Sequence, residues 1–289
     1  MKLATTSATS ASCSLRMPAQ PIAIAGTGRI AKALAALLSR SGVRIAALAG
    51  RGAISQLPRQ ANHILIAISD DSIPHVAAEL AAAGLRDSTI VHTSAAAGPE
   101  ALAILRSTGN SIGVLHPLQT VPSAERGIET LPGATYAVAG DDRATAWARE
   151  LVGILGGNIL AIDPQRWGLY HAAAVMACNY QVTLVDAALE LMEIAGIERD
   201  QALGALAPIL RTTTENILLH GPEAALTGPI RRGDIGTITK HLEALKAASP
   251  ETRRLYAAAG LRTIALAALP PAAANELARL LEHTVEQAT

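Results

Sequence analysis

Pro21-Ile-Ala-Ile-Ala25 runs directly into Gly26-Thr27-Gly28-Arg29-Ile30-Ala31, and this junction decides the fold. The apolar run is the pattern of a fully buried strand that stops at a glycine. Arg29 to Ser39 then reads as a helix. A G-x-G-x-x-A turn between strand and helix is a dinucleotide-binding fingerprint. Its first glycine permits the tight turn. Its second lets the backbone approach a pyrophosphate, and the small Ala31 lets helix and strand pack closely. The helix N-terminus favours the negative charge. Gly26, Thr27, Gly28, Arg29 and Ile30 are therefore the expected cofactor loop.

The pattern continues outward from this turn. Arg44–Ala49, His63–Ile68, Thr89–His92, Ser111–Leu115, Thr135–Ala139 and Asn158–Ile162 read as strands. Ile73–Ala83 and Pro99–Ser107 read as helices between them. Apolar strands separated by helices mean a mostly parallel sheet covered on both faces. Beyond Asp163-Pro164 no strand-like run recurs. Trp167–Ala195, Arg199–Leu219, Asp234–Ala248, Pro250–Ala268 and Pro271–Glu286 read as helices. The expected class is α/β, a Rossmann-type sheet followed by an all-α C-terminal domain. The expected division is an N-terminal arm at residues 1–17, a dinucleotide-binding domain at 18–163 and a helical domain at 164–289. The arm is rich in Ser, Thr and Ala, and Met17 is an alternative start.

Charge chooses the dinucleotide. Folds that take NAD place an acid about 20 residues past the glycines, on the ribose 2′-hydroxyl. Here no acid occurs between Gly28 and Asp70, and that interval carries Arg29, Lys32, Arg40, Arg44, Arg51 and Arg59. The second strand ends in Ala49-Gly50-Arg51, so Arg51 stands where a 2′-phosphate would dock. A guanidinium matches a phosphate through paired hydrogen bonds. The expected cofactor is NADP(H). As charges, Arg29, Lys32 and Arg40 read as a solvated helix face.

Over the whole chain, 24 basic and 24 acidic residues cancel. That balance argues against a nucleic-acid partner, which a net basic face would serve. Aromatics are 2% of the chain with no phenylalanine, so base stacking has little to work with. No apolar run approaches the ~18 residues of a membrane span, and the first residues hold no apolar signal stretch. Two cysteines and scattered histidines offer no metal cluster. The expected setting is cytoplasmic, without nucleic acid, membrane or metal.

A series of motifs points further. Gly26-Thr-Gly-Arg-Ile-Ala-Lys-Ala33, Ile66-Ala-Ile-Ser-Asp-Asp71, Val91-His-Thr-Ser94 and Leu115-His-Pro-Leu-Gln-Thr120 follow in order. Tyr170-His-Ala-Ala-Ala, Asn179-Tyr180, Thr227-Gly-Pro-Ile-Arg-Arg-Gly-Asp234 and His241-Leu come after them. Together they resemble the Rossmann-like oxidoreductases with a helical C-terminal domain of unknown function. Wider relatives of that group are pyrroline-5-carboxylate reductase, ketopantoate reductase, prephenate dehydrogenase and the 6-phosphogluconate dehydrogenase-like enzymes. The resemblance implies an NADP-binding domain, a helical domain that forms a homodimer, and a substrate cleft between the two domains.

Ligands of open parallel sheets sit at the carboxyl ends of the strands. Ser69, Ser94 and His116 fall at three such ends, and in the related reductases these loops line the nicotinamide. His116 is the first choice for an acid or an orienting group, since histidine gives up a proton near pH 7. Its pairing with Pro117 resembles the His-Pro-Met element of prephenate dehydrogenases. Asp70 and Asp71 are expected to cap the following helix. His171 and Asn179 lie eight apart, an offset of about 80° on one helix, so both can border one cleft, with Asn179 a candidate contact to substrate or nicotinamide. The 6-phosphogluconate dehydrogenase-like enzymes and ketopantoate reductases carry a catalytic lysine on the matching helix, and this helix has none. His171 is the candidate to replace it. Asp234 is a natural N-cap with Thr237 on the same face, and both are expected to bind substrate together with Arg232, which is placed to hold a carboxylate. The expected function is NADPH-dependent reduction of the C=O or C=N of a small carboxylated metabolite, with ketopantoate reduction as one option. The alternatives are an NADP-binding sensor or scaffold without turnover, and a prephenate-type dehydrogenase.

Overall fold

The structure, a computed structural model, describes residues 20–287. The expected arm at 1–17 lies outside them. The chain forms two compact units that divide between Val175 and Met176, inside a helix rather than at Asp163-Pro164.

The first unit opens with β1 (Ile22–Ala25), α1 (Arg29–Arg40), β2 (Ile45–Ala49) and β3 (His63–Ile66). Next come α2 (Ile73–Ala82), β4 (Thr89–His92), β5 (Ser111–Pro117) and α3 (Ala124–Thr130). Then follow β6 (Thr135–Gly140), α4 (Asp142–Ile154), β7 (Asn158–Ala161) and α5 (Trp167–Ala177). The seven strands run in the order β2-β1-β3-β4-β5-β6-β7. All neighbours are parallel except β5 and β6, which are antiparallel.

Alternation along the strands fills both faces of the sheet. Ile22, Ile24, Leu65 and Val91 face the layer of α1 and α4, with Leu34, Trp147 and Leu151. Ala23, Ala25, Ile64 and Ile66 face the other layer, with Leu80, Leu85 and Leu105. The chain leaves β1 towards β2 on one side and later returns to β3 on the other. That reversal of strand order opens a crevice above the carboxyl ends of β1 and β3.

Two differences from the sequence expectation stand out. Pro99–Ser107 is not an α-helix. A 3₁₀ helix covers only Ala103–Thr108, between the left-handed glycines Gly98 and Gly109. The expected helix over Trp167–Ala195 is broken at Cys178, where φ is −115° and ψ is −67°. The offset that put His171 and Asn179 on one side of a continuous helix therefore does not apply.

The second unit holds α6 (Asn179–Ile194), α7 (Arg199–His220), α8 (Pro222–Ala225), α9 (Ile235–Ala244), α10 (Pro250–Leu266) and α11 (Pro271–Gln287). Its core joins Ile230, Ile238, Ala257, Leu277 and Leu281. By contrast, α7 buries only Ala202. The helical stretch Pro164–Ile194 is long and apolar enough to cross a membrane by length and composition, which the sequence reading did not expect. Within the second unit α6 is tied into the helix set. Arg199 pairs with Asp186 and Glu193, and the Glu190 carboxylate accepts from the Ser249 N–H at 2.8 Å.

Candidate active site

Gly26 ends β1 at φ +129°, and a Cβ there would lie 2.1 Å from the Ala67 carbonyl oxygen. Only glycine lets the turn pass this close to the end of β3. Gly28 is the N-cap of α1, with no side-chain cap and no acid in the first turn. A Cβ at Gly28 would meet nothing within 4 Å. The first amides of α1 thus open onto free space, as an anion site requires.

That space is a cleft of about 790 Å³. Gly26, Thr27, Gly28, Arg29, Ile30, Arg51 and Ser69 all border it. Arg51 is exposed at the rim, beside Gly52 at φ +82°. These features fit a dinucleotide phosphate: open amides at a helix start, a close backbone approach, and a rim with a guanidinium in place of an acid.

The opposite wall was not singled out from sequence. Ser72, His75, Val76 and Glu79 border the cleft from α2 and its start. Their spacing of three and four residues is the signal that marks one helix face. Glu79 also accepts the Ser55 N–H at 3.1 Å, which fixes the segment after Arg51. Asp71 lines the cleft, and neither the turn at Asp70–Ser72 nor α2 has a side-chain cap. The capping expected of Asp70 and Asp71 is not observed. Arg29 is also more than a solvated charge. Its guanidinium donates to the Pro122 carbonyl at 3.0 Å and holds the β5–α3 loop to the glycine turn.

Ser94 behaves differently from Ser69. It is buried, its hydroxyl accepts the Ala97 N–H at 2.9 Å, and it does not border the cleft. The loop after β4 is pinned from within. His92 is fully buried, with Nε2 2.8 Å from the Gly98 carbonyl oxygen and Nδ1 accepting the Ser94 N–H at 3.2 Å. Nε2 must therefore carry the proton. Burial lowers the His92 pKa to about 4. Trp167 adds a second pin, donating from Nε1 to the Ala95 carbonyl at 2.6 Å.

One strand over, at the end of β5, the His116 Nδ1 lies 2.7 Å from the Tyr170 hydroxyl. The His116 and His171 rings are 6.5 Å apart, and the Trp167 and Tyr170 rings 5.1 Å. The His171 Nδ1 is buried without a partner. Burial, and next the electrostatic effect of the neighbouring His171, lower the His116 pKa to about 4. His116 is therefore neutral near pH 7. Burial raises the Tyr170 phenol to about 12. Sequence reading passed over Tyr170 as a functional group.

In the second unit, Asn179 starts α6 and is exposed, and its carbonyl accepts from Thr183 at 3.4 Å. Asp234 caps α9, accepting the Thr237 N–H at 3.0 Å and the Thr237 hydroxyl at 2.7 Å. Both side chains are spent on each other, and the charge of the exposed Arg232 falls on Asp234.

Residues 134–263 match the family described as Domain of unknown function (DUF2520). The match begins at β6, so it takes in the last two strands as well as helices of the second unit. No curated protein matches the sequence. Among solved structures, a Bacteroides fragilis protein provisionally described as an NADP oxidoreductase is 24% identical, with a TM-score of 0.64 over 85% of this chain and 97% of that one. The Plasmodium falciparum pyrroline carboxylate reductase with NADP bound is 12% identical, with a TM-score of 0.53 over 95% of this chain and 100% of that one. The chain has the fold of these NADP oxidoreductases. A reductive aminase from Aspergillus terreus, in complex with NADPH, shares it as well, at 15% identity and a TM-score of 0.57 over 93% of this chain and 94% of that one.

Proposed function

We propose that the protein is an NADP(H)-dependent reductase acting on the C=O or C=N of a small carboxylated metabolite. The observation that carries this reading is the glycine turn, with its uncapped helix start and Arg51 at the rim of one cleft. The backbone amides of α1 would hold the pyrophosphate, and Arg51 the 2′-phosphate. The bound nicotinamide would supply the hydride, which is the chemistry the cofactor brings. The chain's part is to orient it from the ends of β3, β4 and β5 and to provide a proton beside His116. Arg232 remains the candidate for the substrate carboxylate, and Asn179 for a polar contact to the substrate. Purified protein given NADPH and a panel of 2-oxo acids, ketopantoate among them, and cyclic imines tests the reading. Turnover of at least one member is expected, and none would overturn it.

We further propose a cytoplasmic homodimer formed through α6 and α7. Ile209 is 61% exposed, Leu218 80% and Leu219 75%. Apolar area of this kind on a helix that buries one residue supports an interface at this face. The ties of α6 to Arg199 and to Ser249 favour a protein partner over lipid for this surface.

A further inference from the structure

The cluster at the end of β5 has a chemistry that no motif in the sequence announced. Tyr170 lies in the first turns of α5, where Trp167 is fastened to the Ala95 carbonyl and the tyrosine ring packs on the Trp167 ring. Its hydroxyl lies 2.7 Å from the His116 Nδ1. The phenol is thus held at a strand end where this kind of sheet binds ligands.

We infer that Tyr170 is the proton donor of this site, and that His116 assists it by donating from Nδ1 to the phenol oxygen. The inference rests on the reductase reading above. Three groups compete for the role. His116 is kept neutral by burial and by His171, and a neutral imidazole is a very weak acid. His171 has a buried Nδ1 without a partner, and its ring meets His116 edge-on. Tyr170 keeps its proton at neutral pH, since burial raises its pKa, yet it yields the proton readily to an alkoxide. The direction of the His116 bond then matters. With the proton on Nδ1, the imidazole donates to the phenol oxygen, and the phenolic hydrogen is left for the substrate.

In the proposed step a bound reduced nicotinamide would supply the hydride to the substrate carbon and be oxidised in doing so. The C=O π pair moves onto oxygen. That oxygen takes the proton from the Tyr170 Oη, and the O–H electron pair stays behind as phenolate. The Nδ1–H of His116 steadies the phenolate until water returns a proton.

A structural cross-link between α5 and β5 would look the same in still coordinates, so the test needs a readout such a link does not move. The full chain, with histidine labelled in ¹⁵N, is studied by NMR at neutral pH. The expected result is a neutral His116 with its proton on Nδ1. A proton on Nε2, with Nδ1 receiving from Tyr170, would overturn the assignment. The second arm compares wild type and Tyr170→Phe in NADPH oxidation with a turned-over panel substrate. NADPH binding and the melting temperature serve as the check on folding. A fall in kcat of at least about 100-fold with NADPH affinity unchanged is expected. A kcat within about threefold of wild type would overturn the donor role while leaving the reductase reading intact. Absence of wild-type turnover overturns the reductase reading, and the donor role with it.

Discussion

His92 makes the first unit sensitive to acid, and the size of the effect follows from its surroundings. The ring is fully buried and both nitrogens are used, with Nε2–H on the Gly98 carbonyl and Nδ1 accepting the Ser94 N–H. Protonation at Nδ1 would break the second bond and bury a cation. The folded ring holds out to about 4, against 6.5 for an ordinary histidine. The unfolded chain therefore takes up a proton near pH 6.5 that the folded chain refuses. The resulting stability is complete above pH 6.5 and is lost as pH falls towards 4. At pH 5 this amounts to about 2 kcal/mol less than at pH 8. In urea that is a midpoint lower by about 1 M. Both tryptophans, Trp147 and Trp167, lie in this unit, so their fluorescence reports its unfolding. Wild type and His92→Gln are unfolded at both pH values. The low pKa of His116 contributes to both proteins alike and cancels in the comparison. Wild type is expected to lose about 2 kcal/mol more than the variant between pH 8 and pH 5. Equal losses would refute the reasoning.

Gly26→Ala puts a methyl against the Ala67 carbonyl at a φ that alone costs about 1–3 kcal/mol. A lower melting temperature and loss of NADPH binding are expected, and a variant that matches wild type in both would contradict the turn geometry. Arg51→Ala should weaken NADPH by about 10- to 100-fold while leaving NADH within about twofold, because only the 2′-phosphate loses a charged hydrogen-bond partner. Calorimetric titration with both cofactors reads this, and an equal effect on both would remove Arg51 from the phosphate site. Light scattering should give about twice the chain mass of 29.7 kDa, with Leu218→Lys shifting it towards one chain. A monomeric wild type would refute the interface.

Much of the first unit could be read from sequence, because continuous apolar runs between glycines have few other solutions. The strand ends at Ala25, Ala49 and His92 fall where the pattern placed them. The glycine turn was legible for the same reason, as its geometry tolerates no other residue at Gly26. The helices α3 and α4 were not expected, although Ala144, Trp147, Ala148, Leu151 and Val152 keep helical spacing. Nothing in His171–Tyr180 marks the break at Cys178, since neither glycine nor proline interrupts the run. The segment after Gly98 looked helical by composition. What composition does not carry is the pinning of the preceding loop by His92 and Trp167. Candidate site residues divide in the same way. Backbone-dictated positions such as Gly26 and Gly28 could be found locally. The roles of Arg29, Ser94 and Tyr170 depend on partners at Pro122, within a buried loop, and at His116. Those partners are set by tertiary packing, so no local spacing reveals them.

The central claim is a cleft built for a dinucleotide that carries a 2′-phosphate. Direct titration of the wild-type protein with NADPH and, separately, with NADH tests it without knowledge of the substrate. Binding of NADPH at least about 10-fold tighter than NADH is predicted, from the phosphate–guanidinium contact at Arg51. Equal affinity, a preference for NADH, or binding of neither would contradict it.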